Sequence, residues 1–240
     1  MLKPDMKRFY RAVTVAPQVD QDEGDGVFSI LLDGRQVKSP IGRALAVPSE
    51  PLAQAIAKEW EAQEEKIIPA TMPLTQLAFT ALDRIAPEQA DVAARIAKFG
   101  ETDLLCYRAE APADLVQRQA EAWDPLLAWA KDDLGAEMAM TAGIIHVGQS
   151  DEALDRLAQT VHAMDAFRLT VLASVAQAAG SLLIGLAVVH GRLTGEEAFA
   201  ASQLDEEYQN ELWGQDKEAV DRQRALLAEI TQAETFLSLL

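Results

Sequence analysis

The sequence predicts an α+β protein: a small N-terminal domain of antiparallel β-strands with covering helices, then a larger all-α domain built around one buried apolar helix. Three observations carry the prediction. The first 48 residues alternate short β-rich runs with turn signals, of which Asp33-Gly34 is the strongest. From Ser49 onward, helix caps and apolar stripes at helical spacing take over. The run Val171 to Val189, VLASVAQAAGSLLIGLAVV, carries no charged residue and is bracketed by Arg168 and His190-Gly191-Arg192.

That run admits two readings. About 18 or more uncharged, mostly apolar residues can span a bilayer. A helix that is apolar all round can equally be covered on all sides by other helices. Frequent alanines, Gln177, two serines and arginine at both ends favour the core, since no positive-inside bias is present. Ala173, Ala176, Gly180 and Ala187 leave room for close neighbours in either setting.

The β-unit comes first. FYRAVTV at 9–15 has strand-type residues. PQVDQDEGDG reads as an acidic, glycine-punctuated loop, VFSILL at 27–32 as an apolar strand, and Arg35 to Lys38 as its return. Pro40-Ile41-Gly42 turns the chain into a short strand from Arg43 to Val47. Such a unit needs a helix over one face. Ser49 caps that helix, with Leu52, Ile56 and Glu59/Trp60 on one stripe. Trp60 is expected to pack in the core, with an interface anchor as the alternative. A second helix, PLTQLAFTALDRIA, follows the IIPATM connector. The break at Ala86-Pro87-Glu88 divides the chain into residues 1–86 and 87–240.

The second part reads as helices. One spans 88–99, with Gly100 as its left-handed cap. Another starts at Ala111-Pro112-Ala113-Asp114 and runs to about Leu134, burying Leu115, Trp123, Leu126, Leu127 and Ala130 and stopping at Gly135. Residues 136–149, with Ile144, Ile145 and Val147, form a loop or extended crossing. Ser150 caps the next helix, Asp165 opens the apolar one, and Thr194 with Glu197 forms a capping box. Helices over 198–212 and 216–238 close the chain.

Composition narrows the function. Of 240 residues, 49% are hydrophobic and 25% charged, which is ordinary for a folded protein. The net charge of −17 is not ordinary, and it argues against nucleic acid or anionic membranes as partners. It serves solubility, or it presents an acidic face to a basic partner. The lone Cys106 excludes an internal disulfide and a cysteine zinc site, which fits a reducing compartment. The start, MLKPDMKRFYRAV, has neither the apolar core of a signal peptide nor an Arg/Ser-rich transit pattern, so a cytoplasmic protein is expected.

No catalytic signature is present. Gly24 and Gly26 sit among acids that would repel phosphate. His146, His162 and His190 lie far apart and lack metal-ligand spacing. Cys106 stands in apolar LLCY, which raises a thiol pKa and marks a packed cysteine. An enzyme site near Cys106 and His146 is the alternative reading. The most informative charged stretch is Leu204 to Gly214, LDEEYQNELWG. Asp205, Glu206, Glu207 and Glu211 surround Tyr208 and Trp213. One reading is a solvated acidic face over a core-facing Leu204/Tyr208/Leu212 stripe. The other is a recognition surface for a partner's basic or apolar segment.

Several long motifs carry a resemblance. LLDGRQVKSPIGRALAVPSEPLAQAIAKEWEAQEEKIIPATMPLTQLAFTALDRI resembles the Atp12 family of assembly chaperones for the F1 sector of ATP synthase. FGETDLLCYRAEAP, QAEAWDPLLAWA and SQLDEEYQNELWG are similar to the same family, so the likeness covers roughly residues 8–214. It implies a small α/β domain followed by a helical one, with no nucleotide hydrolysis, cofactor or metal. It implies binding of the free F1 α subunit, shielding its interface until β subunits replace the chaperone. Trp60 matches the family's E-W-x-x-Q tryptophan, which matters for the folded protein. An acidic position in the helical domain matters for chaperone action. It falls in LDEEYQNELWG, with Glu206, Glu207 and Glu211 favoured. A monomeric bacterial member is expected; eukaryotic relatives belong to the mitochondrial matrix.

Overall fold

The computed structural model describes residues 6–18, 26–143 and 145–240. Most of the expected acidic loop and Ile144 lie outside the described residues. The chain forms two compact units, one reaching to Glu88 and including Thr235–Leu240, the other spanning Gln89–Glu234. The division differs from the 86/87 boundary in two respects: it falls after Glu88, and the last six residues join the first unit.

In the first unit, the strands are β1 (Met6–Lys7), β2 (Val13–Gln18), β3 (Val27–Leu32), β4 (Arg35–Gln36), β5 (Ala46–Val47) and β6 (Lys66–Ile67). β3 is the hub and pairs antiparallel with β2, β4 and β5. Asp33 and Gly34 take φ of 48° and 77°, the left-handed pair a two-residue hairpin needs. The Asp33 carboxylate accepts from the amides of Ala12 (2.9 Å) and Arg11 (3.1 Å), and these bonds hold its pKa below the usual range. The strand expected at 9–15 starts later, at Val13. Tyr10 turns inward instead, and its hydroxyl donates to the Trp60 carbonyl at 2.6 Å, leaving Phe9 exposed.

Helix α1 (Glu50–Glu61) starts where Ser49 accepts from the Leu52 amide at 3.2 Å. It buries Leu52, Ile56 and Trp60. Helix α2 (Pro73–Thr80) continues as a π-helical turn, Ala81–Ile85. Phe236, from the far end of the chain, is fully buried, and the Ser49 hydroxyl donates to the Leu239 carbonyl.

The second unit contains α3 (Gln89–Ala97), β7 (Tyr107–Arg108), α4 (Ala113–Leu134), β8 (Thr141–Ala142), α5 (Asp151–His162), α6 (Ala166–Ala179), α7 (Leu182–Val189), α8 (Gly195–Ser202), α9 (Leu204–Trp213) and most of α10 (Lys217–Ser238). Strands β7 and β8 pair in parallel. Gly135 ends α4 in the left-handed conformation, and Thr194 and Glu197 form the expected capping box.

Three expectations are corrected. Gly100 is not a left-handed cap; it lies in a 3-10 turn, where a Cβ would come within 3.1 Å of the Leu157 side chain and press it aside. The helix expected over 198–212 is two, α8 and α9, divided at Gln203. The charge-free run is also two helices. Gly180 ends α6 at φ 66°, and Ser181 caps α7 by accepting from the Ile184 amide at 3.0 Å. Helices α6 and α7 pack closely. A Cβ on Gly185 would meet Leu172 at 2.9 Å and the Ala176 backbone nitrogen at 3.2 Å. Half of α6 and seven of the eight residues of α7 are buried, as the core reading requires. No helix among the described residues is long and apolar enough to cross a membrane.

The break between them is pinned by Asp103. This buried carboxylate accepts from the Ser181 hydroxyl (2.7 Å), the Leu183 amide (3.0 Å) and the Leu105 amide (3.1 Å). Burial pushes its pKa up, and the donated bonds oppose the rise.

Candidate functional site

Helix α9 lies on α4, and its inward row is polar. Asp205 accepts from the Gln119 side chain at 2.7 Å. Gln119 is itself buried and uses its oxygen to accept from the Ala109 amide at 2.8 Å. The Tyr208 hydroxyl donates to Asp114, 2.9 Å from both carboxylate oxygens. Glu211 pairs with Arg118 at 2.9 Å, and that guanidinium also covers the Tyr208 ring at 5.2 Å. The bond from Arg118 holds the Glu211 carboxyl below its ordinary pKa. So Asp205, Tyr208 and Glu211, spaced by three, fasten α9 to α4.

The other predicted residues point elsewhere. Glu206 and Glu207 are exposed. Trp213 is 78% and Leu212 58% exposed. The expected Leu204/Tyr208/Leu212 core stripe is therefore corrected: Tyr208 is buried, Leu204 only half-buried and Leu212 open to solvent. Its place is taken by a row one position round the helix, held by hydrogen bonds and an ion pair.

Sequence reasoning missed the α4 side of this site: Asp114, Arg118 and Gln119. One signal was available. The motif QAEAWDPLLAWA opens on Gln119 and includes Trp123, whose indole N–H donates to the Ala201 carbonyl at 2.9 Å. Its Asp124 pairs with Arg108 at 2.8 Å, and Arg108 comes from the other motif, FGETDLLCYRAEAP.

The E-W-x-x-Q pattern is resolved into separate tasks. Glu59 caps α2, accepting from the amides of Leu74 and Thr75, both at 2.8 Å, and from the Thr75 hydroxyl at 2.7 Å. Burial nevertheless pushes its pKa up. Trp60 is only 2% exposed and meets Tyr10 edge-on at 5.8 Å. Gln63 accepts from the Ile68 amide at 2.7 Å and donates to Thr71 at 3.1 Å, fixing the connector.

The alternative site fares poorly. Cys106 is fully buried, and burial, aided by the Asp103 charge, pushes its thiol up to about 12. A thiolate nucleophile is not accessible there at neutral pH. His146 is exposed, with its Nδ1 3.0 Å from the Tyr107 hydroxyl. Among the described residues no group of three or more His, Cys, Asp or Glu is placed to hold a metal ion.

The helical domain thus carries an acidic helix fastened on one side, with an outward tryptophan. The ATP12 chaperone protein model matches residues 7–131. The crystal structure of Atp12 from Paracoccus denitrificans superimposes with a TM-score of 0.91, at 42% identity over 97% of each chain. A variant of that protein with one aspartate replaced by lysine gives 0.90 at the same identity and coverage. The mitochondrial atp12 protein of Schizosaccharomyces pombe is 28% identical over 224 residues, 88% of this chain and 75% of that protein. The chain belongs to the ATP12 chaperone protein family. Its work within that family is ATP synthase assembly.

Proposed function

We propose that the protein binds the free α subunit of the F1 sector and shields its interface until β subunits replace it. The outward side of α9 supports this reading. Glu206 and Glu207 lie unpaired among the described residues, beside exposed Leu212 and Trp213, on a helix whose inward side is fixed to α4. Such a surface offers charge and apolar area without reordering, which lowers the entropic cost of binding. Asp205, Tyr208 and Glu211 act as its positioning residues. The protein acts in this reading by binding alone, as a monomer in the bacterial cytoplasm, with no catalytic step.

The test is a pull-down with free α and free β subunits side by side, together with light scattering of α during dilution from denaturant. Retention of α but not β, with scattering suppressed at equimolar chaperone, is expected. Glu207→Lys should weaken both effects without lowering the melting temperature. Equal retention of α and β, or unchanged aggregation of α, refutes the reading.

A further inference from the structure

Helices α9 and α10 enclose a groove of about 390 Å³, lined by Gln203, Glu206 and Asn210 on one wall and Arg222, Gln223 and Leu226 on the other. Residues 203, 206 and 210 recur at i, i+3 and i+7, so they share one helix face. Trp213 continues that face one turn on. The face lies one residue round from the row that meets α4, so fastening α9 leaves it free.

Most of the groove's polar groups are available; the Gln203 amide donates to the Ser202 carbonyl at 3.4 Å, which leaves its oxygen. The side chains of Glu206, Asn210 and Arg222 make no hydrogen bond or ion pair among the described residues. The Gln223 oxygen accepts from Gln215 at 3.1 Å, which leaves its amide hydrogens. Side-chain amides both donate and accept, which matches the main chain of a peptide. A carboxylate takes a Lys or Arg, and an exposed indole takes an apolar side chain. Between Gln203 and Leu226 the chain carries seven acids against three bases, so its field draws a basic segment. From 203 to 213 the face is roughly 15 Å long at the helical rise. About five residues of extended chain span that length.

We propose that this groove takes an extended, basic segment of the chaperone's client. Asn210, Gln203 and Gln223 bond its main chain, Arg222 donates to one of its carbonyls, Glu206 pairs with its Lys or Arg, and Trp213 packs one of its apolar side chains. The proposal rests on the client-binding reading above.

Trp213 supplies the readout, because Trp60, Trp123 and Trp129 are buried. Chaperone labelled with fluorotryptophan is titrated with unlabelled free α subunit and followed by fluorine NMR, with Trp213→Phe assigning the signal. The Trp213 resonance should shift while the buried three stay in place. Glu206→Lys should weaken binding about tenfold, the scale of one lost charge-assisted contact, and Glu206→Gln should weaken it less. Ten-residue α-subunit peptides that compete should contain Lys or Arg and stop competing when it is replaced by Ala. If α binds while the Trp213 signal is unmoved and Glu206→Lys retains full affinity, the groove proposal is wrong and the client-binding reading survives. If the unmodified chaperone binds no α, both fall.

Discussion

The chain carries two acid-and-aromatic motifs of similar composition that end in opposite environments. At the end of α1 and just beyond it, Glu59, Trp60 and Gln63 point into the first unit, and their polar groups bind the local chain. The one exception is the buried Trp60 indole N–H, which has no hydrogen-bond partner among the described residues. On α9, Asp205, Tyr208 and Glu211 meet α4, while Glu206, Glu207, Leu212 and Trp213 are exposed. Residue type does not decide whether an acid is a strut or a contact. The decision lies in what the helix is laid against: α1 is covered by a sheet and its own connector, whereas α9 has a neighbour that meets one row.

The comparison can be broken most sharply at the tryptophans. Trp60→Arg buries a guanidinium without a partner and should cost about 3–5 kcal/mol or unfold the first unit. Trp213→Arg should change stability by no more than about 0.5 kcal/mol. Thermal unfolding followed by circular dichroism reads both, and equal melting temperatures would erase the distinction. At the next scale, Glu59→Gln replaces an acceptor carboxylate that caps α2 and should cost about 1–3 kcal/mol in denaturant titration, while Glu206→Gln should cost nothing measurable. Within α9 itself, Tyr208→Phe removes only the hydroxyl bonded to Asp114. A loss of about 1 kcal/mol is expected, together with faster hydrogen exchange along α9.

The smallest effect separates the motifs by sign. Burial raises the folded pKa of Glu59, so the folded state binds its proton more tightly than the unfolded chain does. Its carboxyl therefore favours the fold as pH drops, and that contribution is lost as pH rises through the raised folded value. Arg118 lowers the folded pKa of Glu211. Its stabilisation is present above the ordinary glutamate pKa and is lost as pH falls through the lowered one. Stability measured across acid pH should thus lose opposite slopes in Glu59→Gln and Glu211→Gln. Slopes of the same sign would show that the two acids share one environment.

Much of the fold was legible because its signals act within three or four residues. Asp33-Gly34, Ser49, Ser150 and the Thr194–Glu197 box each formed as read. The break at Gly180-Ser181 carried an equally local signal, a capping glycine followed by a capping serine. A long average of hydropathy smooths over such a pair, and the run was therefore read as one rod. The site was legible only as a segment. Asp114, Arg118 and Gln119 meet residues 94, 93 and 86 positions away, and no local pattern encodes such pairings. The inward face of α9 was misjudged for a related reason. It is marked by polar residues with distant partners, whereas a hydrophobic stripe search points to Leu204 and Leu212.

The return of Thr235–Leu240 to the first unit has a consequence for synthesis. A chain leaving the ribosome makes the sheet and its covering helices early, yet lacks Phe236 and the Leu239 carbonyl that Ser49 binds 190 positions away. The strand-rich unit is begun first and finished last. Its core stays open throughout elongation of the helical unit and closes only once Thr235–Leu240 have been made. Losing Thr235–Leu240 is therefore an injury to the unit that begins the chain.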